Sequence, residues 1–302
     1  MVFLIRPRPV PVLFIAGAGR SGSTFLDTVL GNHPSVGSYG EMSLLPRNGW
    51  LANGNCACGE PADGCAFWSE VRRVWLETPG NTGVVAYAAL NDRFGRMRSW
   101  GGLMVELRRP SPAFQMYKAQ TAALFRAVRD VSGRAWVVDS SKYGARAMIL
   151  SRTQGIDLHV LHLVRDGRGV LSSVKSSYST WRAALFWIRR NLVAEWARRR
   201  VTRDRSVRVR YEDLVRDPGR VLGEIGRLTG LEMADLAGAL GRGEEMTVGH
   251  MIAGNERGRL KGRVRLQPDT GWAERLDPDD RRTFWLLAGW LLRWYGYRRE
   301  GG

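Results

Sequence analysis

Val12-Leu13-Phe14-Ile15-Ala16 runs straight into Gly17-Ala18-Gly19-Arg20-Ser21-Gly22-Ser23-Thr24-Phe25-Leu26. An unbroken apolar run of this length reads as a strand buried on both faces, the kind found in parallel sheets. The glycines let the backbone turn tightly and approach a ligand closely. Ser21, Gly22, Ser23 and Thr24 then open a helix whose first N–H groups have no partner within the helix. Such a loop is an anion site, most often for phosphate. It nearly matches the nucleotide-phosphate loop G-x-x-x-x-G-K-[ST], with Gly17, Gly22 and Thr24 in register, but position 23 is serine. The cation stands three residues earlier, at Arg20.

A second apolar segment, His159-Val160-Leu161-His162-Leu163-Val164, ends in Arg165-Asp166-Gly167-Arg168. Ligands of α/β sheets bind at the carboxyl ends of strands, where Arg165 falls. Ser173 lies about two helical turns further on, so a guanidinium and a hydroxyl can converge on one phosphate. Alone this is weak, because Arg-Asp-Gly turns are common at surfaces.

Together these residues resemble sulfotransferases that use 3′-phosphoadenosine 5′-phosphosulfate (PAPS), in particular bacterial members similar to the tyrosylprotein and carbohydrate branches. The first loop is similar to that family's 5′-phosphosulfate loop, which assigns Gly19, Arg20, Ser21, Gly22, Ser23 and Thr24 to the donor. The second is similar to its 3′-phosphate motif, which assigns Arg165 and Ser173. Two softer stretches agree: Arg210-Tyr211-Glu212-Asp213, and Gly254-Asn255-Glu256-Arg257 followed by Arg265-Leu266-Gln267-Pro268-Asp269-Thr270-Gly271-Trp272. They imply donor contacts by Tyr211, which is equally a core candidate, and by Asn255 and Arg257.

Sulfuryl transfer needs a base for the acceptor hydroxyl and positive charge for the departing phosphate. The segment His33-Pro34-Ser35-Val36-Gly37-Ser38-Tyr39-Gly40-Glu41 resembles the family's stretch that ends in a basic carboxylate, which makes Glu41 the expected base. His33 is the rival, although its place before Pro34 suits a helix C-terminal cap. Arg20 stands where one branch of the family has lysine, and the resemblance gives it the sulfuryl oxygens and leaving phosphate. Lys142 follows the strand 135–139, and only Lys118, Lys142, Lys175 and Lys261 carry lysine among 46 basic residues. It resembles a lysine that contacts the bridging oxygen in tyrosylprotein sulfotransferases.

The three cysteines cluster at Cys56, Cys58 and Cys65. A zinc site would want a fourth ligand, and His33 is the only candidate near in sequence. No metal is expected, either here or for the transfer itself, since arginine and lysine can supply the field.

The alternation of strands and helices implies an α/β fold, a parallel sheet flanked by helices with a P-loop-like phosphate-binding loop. One domain over 1–302 is expected, with an irregular and helical insertion at about 45–132. The helix expected over 181–202 is amphipathic, with Trp181, Leu185, Ile188, Leu192 and Trp196 as its inward stripe. Residues 244–272 are too long for an ordinary connection and read as functional. No uninterrupted apolar core or small-residue cleavage site marks the N-terminus as a signal peptide, and no stretch suits a bilayer span, so the expected location is cytoplasmic. The net charge of +17 suits anionic ligands.

Two rival classes are a P-loop-like small-molecule kinase, for which the strand-end Asp139 is the obvious magnesium ligand, and a nucleic-acid-binding protein built on the arginine-rich helix 181–205. The favoured reading has no nucleic-acid partner. Its acceptor is a small molecule, glycan or lipid hydroxyl. The sequence does not fix the acceptor's identity or the oligomeric state.

Overall fold

A computed structural model describes residues 8–95, 100–201, 203–252, 262–265, 269 and 271–299. The chain enters strand β1 (Val10–Gly17), helix α1 (Ser23–Leu30) and the short strand β2 (Val36–Ser38). Helices α2 (Ala66–Leu76), α3 (Gly83–Leu90), α4 (Trp100–Arg108) and α5 (Pro112–Ser132) follow, with π-helical turns at Leu45–Leu51 and Asn91–Gly95. Then come β3 (Trp136–Lys142), α6 (Gly144–Leu150), β4 (Ile156–Val164), α7 (Gly167–Val174), α8 (Thr180–Arg200) and β5 (Ser206–Arg210). The last part holds α9 (Tyr211–Arg216), α10 (Pro218–Thr229), α11 (Ala234–Gly241), β6 (Glu245–Thr247), β7 (Arg263–Arg265), α12 (Trp272–Arg275) and α13 (Pro278–Trp294).

The five-stranded sheet is parallel throughout, in the order β2-β3-β1-β4-β5. β1, carrying the glycine loop, is the central strand. Its period of two divides the core: Val10, Val12, Phe14 and Ala16 face the cluster formed with α2, α3, α5 and α6, while Leu13 and Ile15 face α1 and α10. The strand pairing between β1 and β3 slips by one residue, from Phe14 opposite Asp139 to Ala16 opposite Lys142. That bulge re-aims the end of β3.

Helix α8 overturns the expected stripe. Trp181 and Leu185 are 52% and 55% exposed, and Leu192 is also exposed. The buried face is Ala183, Ala184, Trp187, Asn191, Ala194, Glu195 and Ala197. The small alanines let α8 lie close on the sheet. Asn191 and Glu195 turn inward because buried His162 on β4 hydrogen-bonds both, Asn191 Oδ1 at 3.1 Å and Glu195 Oε2 at 3.3 Å. Buried polar groups need hydrogen-bond partners, and these three supply one another. None of the described helices is long and apolar enough to cross a membrane.

Candidate active site

The glycine loop turns where the backbone must. Gly17 has φ 147°, and a Cβ there would sit 2.3 Å from the carbonyl oxygen of Leu163. Gly22, at φ 88°, has the ring of Tyr211 against it, and a Cβ would meet that ring at 2.3 Å. Between them Arg20 is held at φ 67°, a left-handed conformation that a non-glycine residue adopts only under constraint. Gly22 then starts α1 with no side-chain cap and no acidic residue in the first turn. The first helical N–H bond runs from Leu26 to the Gly22 carbonyl, so the N–H groups of Ser23, Thr24 and Phe25 point out of the helix start. The Ser21 hydroxyl is buried behind them without a hydrogen-bond partner in the protein.

Opposite the loop lies a cleft of about 330 Å³, lined by Gly19, Arg20, Gly22, Ser23 and Thr24 on one side and by Glu41, Ser141, Lys142 and Tyr143 on the other. Phe186 and Arg190 from α8 close it, with the Arg190 guanidinium 4.3 Å from the centre of the Tyr143 ring. Lys142 Nζ donates to Glu41 Oε1 across this cleft. Lys142, set by the bulge in β3, is also left-handed, at φ 69°.

Glu41 is placed by a net of buried hydrogen bonds. Ser140 N–H donates to the Gly40 carbonyl at 3.0 Å, and Ser43 N–H donates to Ser141 Oγ at 2.9 Å. Asp27, inside α1, accepts from Gly40 N–H at 3.1 Å and from the Ser140 hydroxyl at 2.7 Å. Burial raises the Asp27 carboxyl from 3.8 to about 6, against the pull of the Ser140 hydrogen bond. The turn at Gly40-Glu41 is therefore tied to both α1 and β3.

The second anion motif meets the first. Arg165, at the end of β4, donates from Nη1 to the Arg20 carbonyl at 3.1 Å. Its Nη2 donates to Asp269 Oδ2 at 2.8 Å, and Nε is buried with no partner in the protein. A Cβ on Gly169 would lie 3.1 Å from that Nε, so Arg165 lies over the face of α7 that Gly169 shares with Ser173. Ser173 Oγ donates to the Gly169 carbonyl at 3.1 Å.

A model of the sulfotransferase family matches residues 11–235. The chain belongs to the sulfotransferase family. No curated protein matches this sulfotransferase. Among solved structures it is similar to the sulfotransferase domain of the Synechococcus olefin synthase, at 22% identity over 97% of each chain and a TM-score of 0.51. It is also similar to the sulfotransferase domain from the curacin biosynthetic pathway, at 20% identity over 94% of this chain and 98% of that one, with a TM-score of 0.51. Both likenesses are likenesses of fold.

In this sulfotransferase the cleft gathers Gly19, Arg20, Gly22, Ser23, Thr24, Glu41 and Lys142, with Ser21 behind the loop. Tyr211 is buried, its hydroxyl accepting from Asp269 N–H at 2.8 Å and its ring supporting Gly22. His33 is not on the cleft: its ring bonds the Glu232 carbonyl at 3.1 Å and accepts from Ser35 N–H at 3.1 Å. Asn255 and Arg257 lie outside the described residues. Sequence reasoning missed Ser141, Tyr143, Phe186 and Arg190. Arg190 lies in the arginine-rich helix, and only the cleft shows its use.

Asp139 does not suit a magnesium ion. It is fully buried, with Oδ2 bonded to Arg146 Nε at 2.8 Å and Oδ1 taken by both the backbone N–H and the hydroxyl of Ser141. The arginines of α8 are likewise engaged, Arg198 and Arg199 with Glu195 and Arg190 with Tyr143.

Proposed function

We propose that this enzyme moves a sulfuryl group from PAPS to a hydroxyl of a small-molecule, glycan or lipid acceptor. The observation that carries the reading is the Glu41–Lys142 pair facing an uncapped helix start across one cleft. The buried, unpartnered Ser21 hydroxyl and Arg165 Nε fit a ligand with two phosphate ends, one at each motif. Ser23 and Thr24 N–H groups and Arg20 would hold the 5′ end, and Arg165 and Ser173 the 3′-phosphate. Bound there, PAPS supplies an activated sulfuryl group and a phosphate leaving group.

Glu41 takes the acceptor proton on a carboxylate oxygen. Lys142 and Arg20 put positive charge where the leaving phosphate gains negative charge. An anion in the cleft competes with Glu41 for Lys142 Nζ. Tyr143, Phe186 and Arg190 form the cleft wall nearest the acceptor side.

The by-product 3′-phosphoadenosine 5′-phosphate should raise the melting temperature by mass action more than equimolar ADP does. Arg165→Ala should erase most of that difference. Equal shifts from both nucleotides in the unaltered enzyme would overturn the donor assignment.

A further inference from the structure

The cysteine cluster has a fourth ligand that is remote in sequence. Cys56, Cys58, Cys65 and His250 each place one donor atom within 4.8 Å of all the others. Cys58 Sγ and Cys65 Sγ are 3.7 Å apart. His250 Nδ1 lies 3.3 Å from Cys65 Sγ and 3.7 Å from Cys56 Sγ. Zinc bonds of about 2.3 Å to sulfur and about 2.0 Å to nitrogen, at tetrahedral angles, put sulfurs about 3.8 Å apart and sulfur and nitrogen about 3.5 Å apart. These three separations lie close to the edges of that tetrahedron. The candidate near in sequence, His33, is instead held by Ser35 and Glu232.

We propose that Cys56, Cys58, Cys65 and His250 bind one zinc ion as a structural site. Four protein ligands leave no open position for substrate, which separates it from a catalytic zinc. The local fold is made for the purpose. Gly59, at φ 106°, turns the chain back so that its N–H donates to the Cys56 carbonyl at 3.0 Å. Cys65 stands at the N-terminal cap of α2, which fixes where its side chain leaves the backbone. The His250 ring stacks on Phe67 at 4.9 Å, and its carbonyl accepts from Trp68 Nε1 at 2.7 Å. On binding, three thiols become thiolates and their protons pass to solvent.

The site joins the start of the helical insertion to the segment after β6, closing a loop of 185 residues between Cys65 and His250. Beside it Ala57 N–H donates to the Met251 carbonyl at 2.8 Å, and Ala57, Val248 and Met251 form their own small apolar cluster. That cluster is small, so the metal supplies the stability it lacks. Gly249 packs on the Ser38 carbonyl, where a Cβ would be only 2.6 Å away. The strap thus crosses the end of β2 beside the turn that presents Glu41.

Protein purified under reducing conditions without chelator or a metal-affinity tag should carry one zinc per chain by elemental mass spectrometry. Stripped protein given Co²⁺ alone should show the visible bands of tetrahedral, thiolate-bound cobalt. Stripping should lower the melting temperature by on the order of 5 °C. Cys58→Ser, at the exposed ligand, and His250→Ala should each weaken zinc retention against a chelator by more than the roughly 10–100-fold that outer-shell partners are worth. His33→Asn should retain the metal. Zinc-free protein that also gives no tetrahedral cobalt spectrum would overturn the proposal. So would zinc retained undiminished in both ligand variants, or a Cys58–Cys65 disulfide in protein isolated from cells.

Discussion

Two ion pairs share the end of β3, and they are built differently. Asp139–Arg146 is completely buried, at 0% exposure for both side chains. Both Asp139 oxygens are bonded, and Arg146 Nη1 also donates to the Tyr117 hydroxyl at 2.8 Å. Glu41–Lys142, three residues along the strand, keeps 11% and 15% of its side chains exposed on the cleft, and its lysine has a strained backbone. A pair sealed from the cleft, with both carboxylate oxygens bonded, cannot reach an incoming ligand. A pair open to the cleft on one side can give up its cation to an incoming anion. Position on the strand does not separate structure from chemistry here. Access to the cleft does.

The largest expected effect lies at the open pair. Glu41→Gln keeps the size and most of the hydrogen bonding but removes the basic lone pair, so turnover should fall by about 10²–10⁴-fold. Its melting temperature and its affinity for 3′-phosphoadenosine 5′-phosphate should stay close to those of the parent enzyme. His33→Asn should be the milder change, and the reverse order in steady-state kinetics would move the base to His33.

The locked pair should show its worth in stability. Arg146→Leu leaves Asp139 buried without its cation, which costs about 3–5 kcal/mol in denaturant unfolding. Adding Asp139→Leu to that variant should recover a large part of the loss. If the single variant unfolds at the parental denaturant concentration, the contrast between the two pairs collapses.

A third carboxylate sharpens the comparison, because Asp27 is buried with hydrogen bonds and, among the described residues, no ion pair. Its folded value of about 6 stands above the ordinary 3.8. A raised carboxyl contributes stability that is fully present below about pH 3.8 and is lost as pH rises through 6. The loss should reach on the order of 3 kcal/mol by pH 8. Unfolding curves of Asp27→Asn should lack this slope between pH 4 and 8, and a wild-type curve that rises over the same window would contradict the assignment.

Much of the frame was legible because its signals are local. The run from Val12 into the glycine loop, the strand before Arg165 and the step from His33 to Glu41 each lie within a few residues, where periodicity and turn chemistry act. What escaped depends on partners far along the chain. The inward face of α8 depends on His162, and without it Asn191 and Glu195 read as surface residues. His250 lies 185 residues beyond Cys65, so no local spacing could reveal it as a ligand. The left-handed Lys142 comes from a register slip between β1 and β3, and the sequence shows only that a lysine follows the strand. Tyr211 opens α9 directly after β5, and its ring packs on Gly22 of the loop, a contact between distant parts of the chain. The short strand β2 and the β6–β7 ribbon, at three residues a strand, fall below what periodicity can resolve.

The central place of β1 bears on how the chain is made. Its pairing partners begin only at Val137 on β3 and Ile156 on β4, and β2 pairs with β3 alone. A ribosome adding about 5–20 residues per second therefore leaves Val10–Gly17 without either neighbour for on the order of 10 s. Through that interval the nascent enzyme presents an extended, apolar segment with open backbone groups on both edges. The strand that carries the phosphate loop is thus also an open template for mispairing until β3 and β4 emerge.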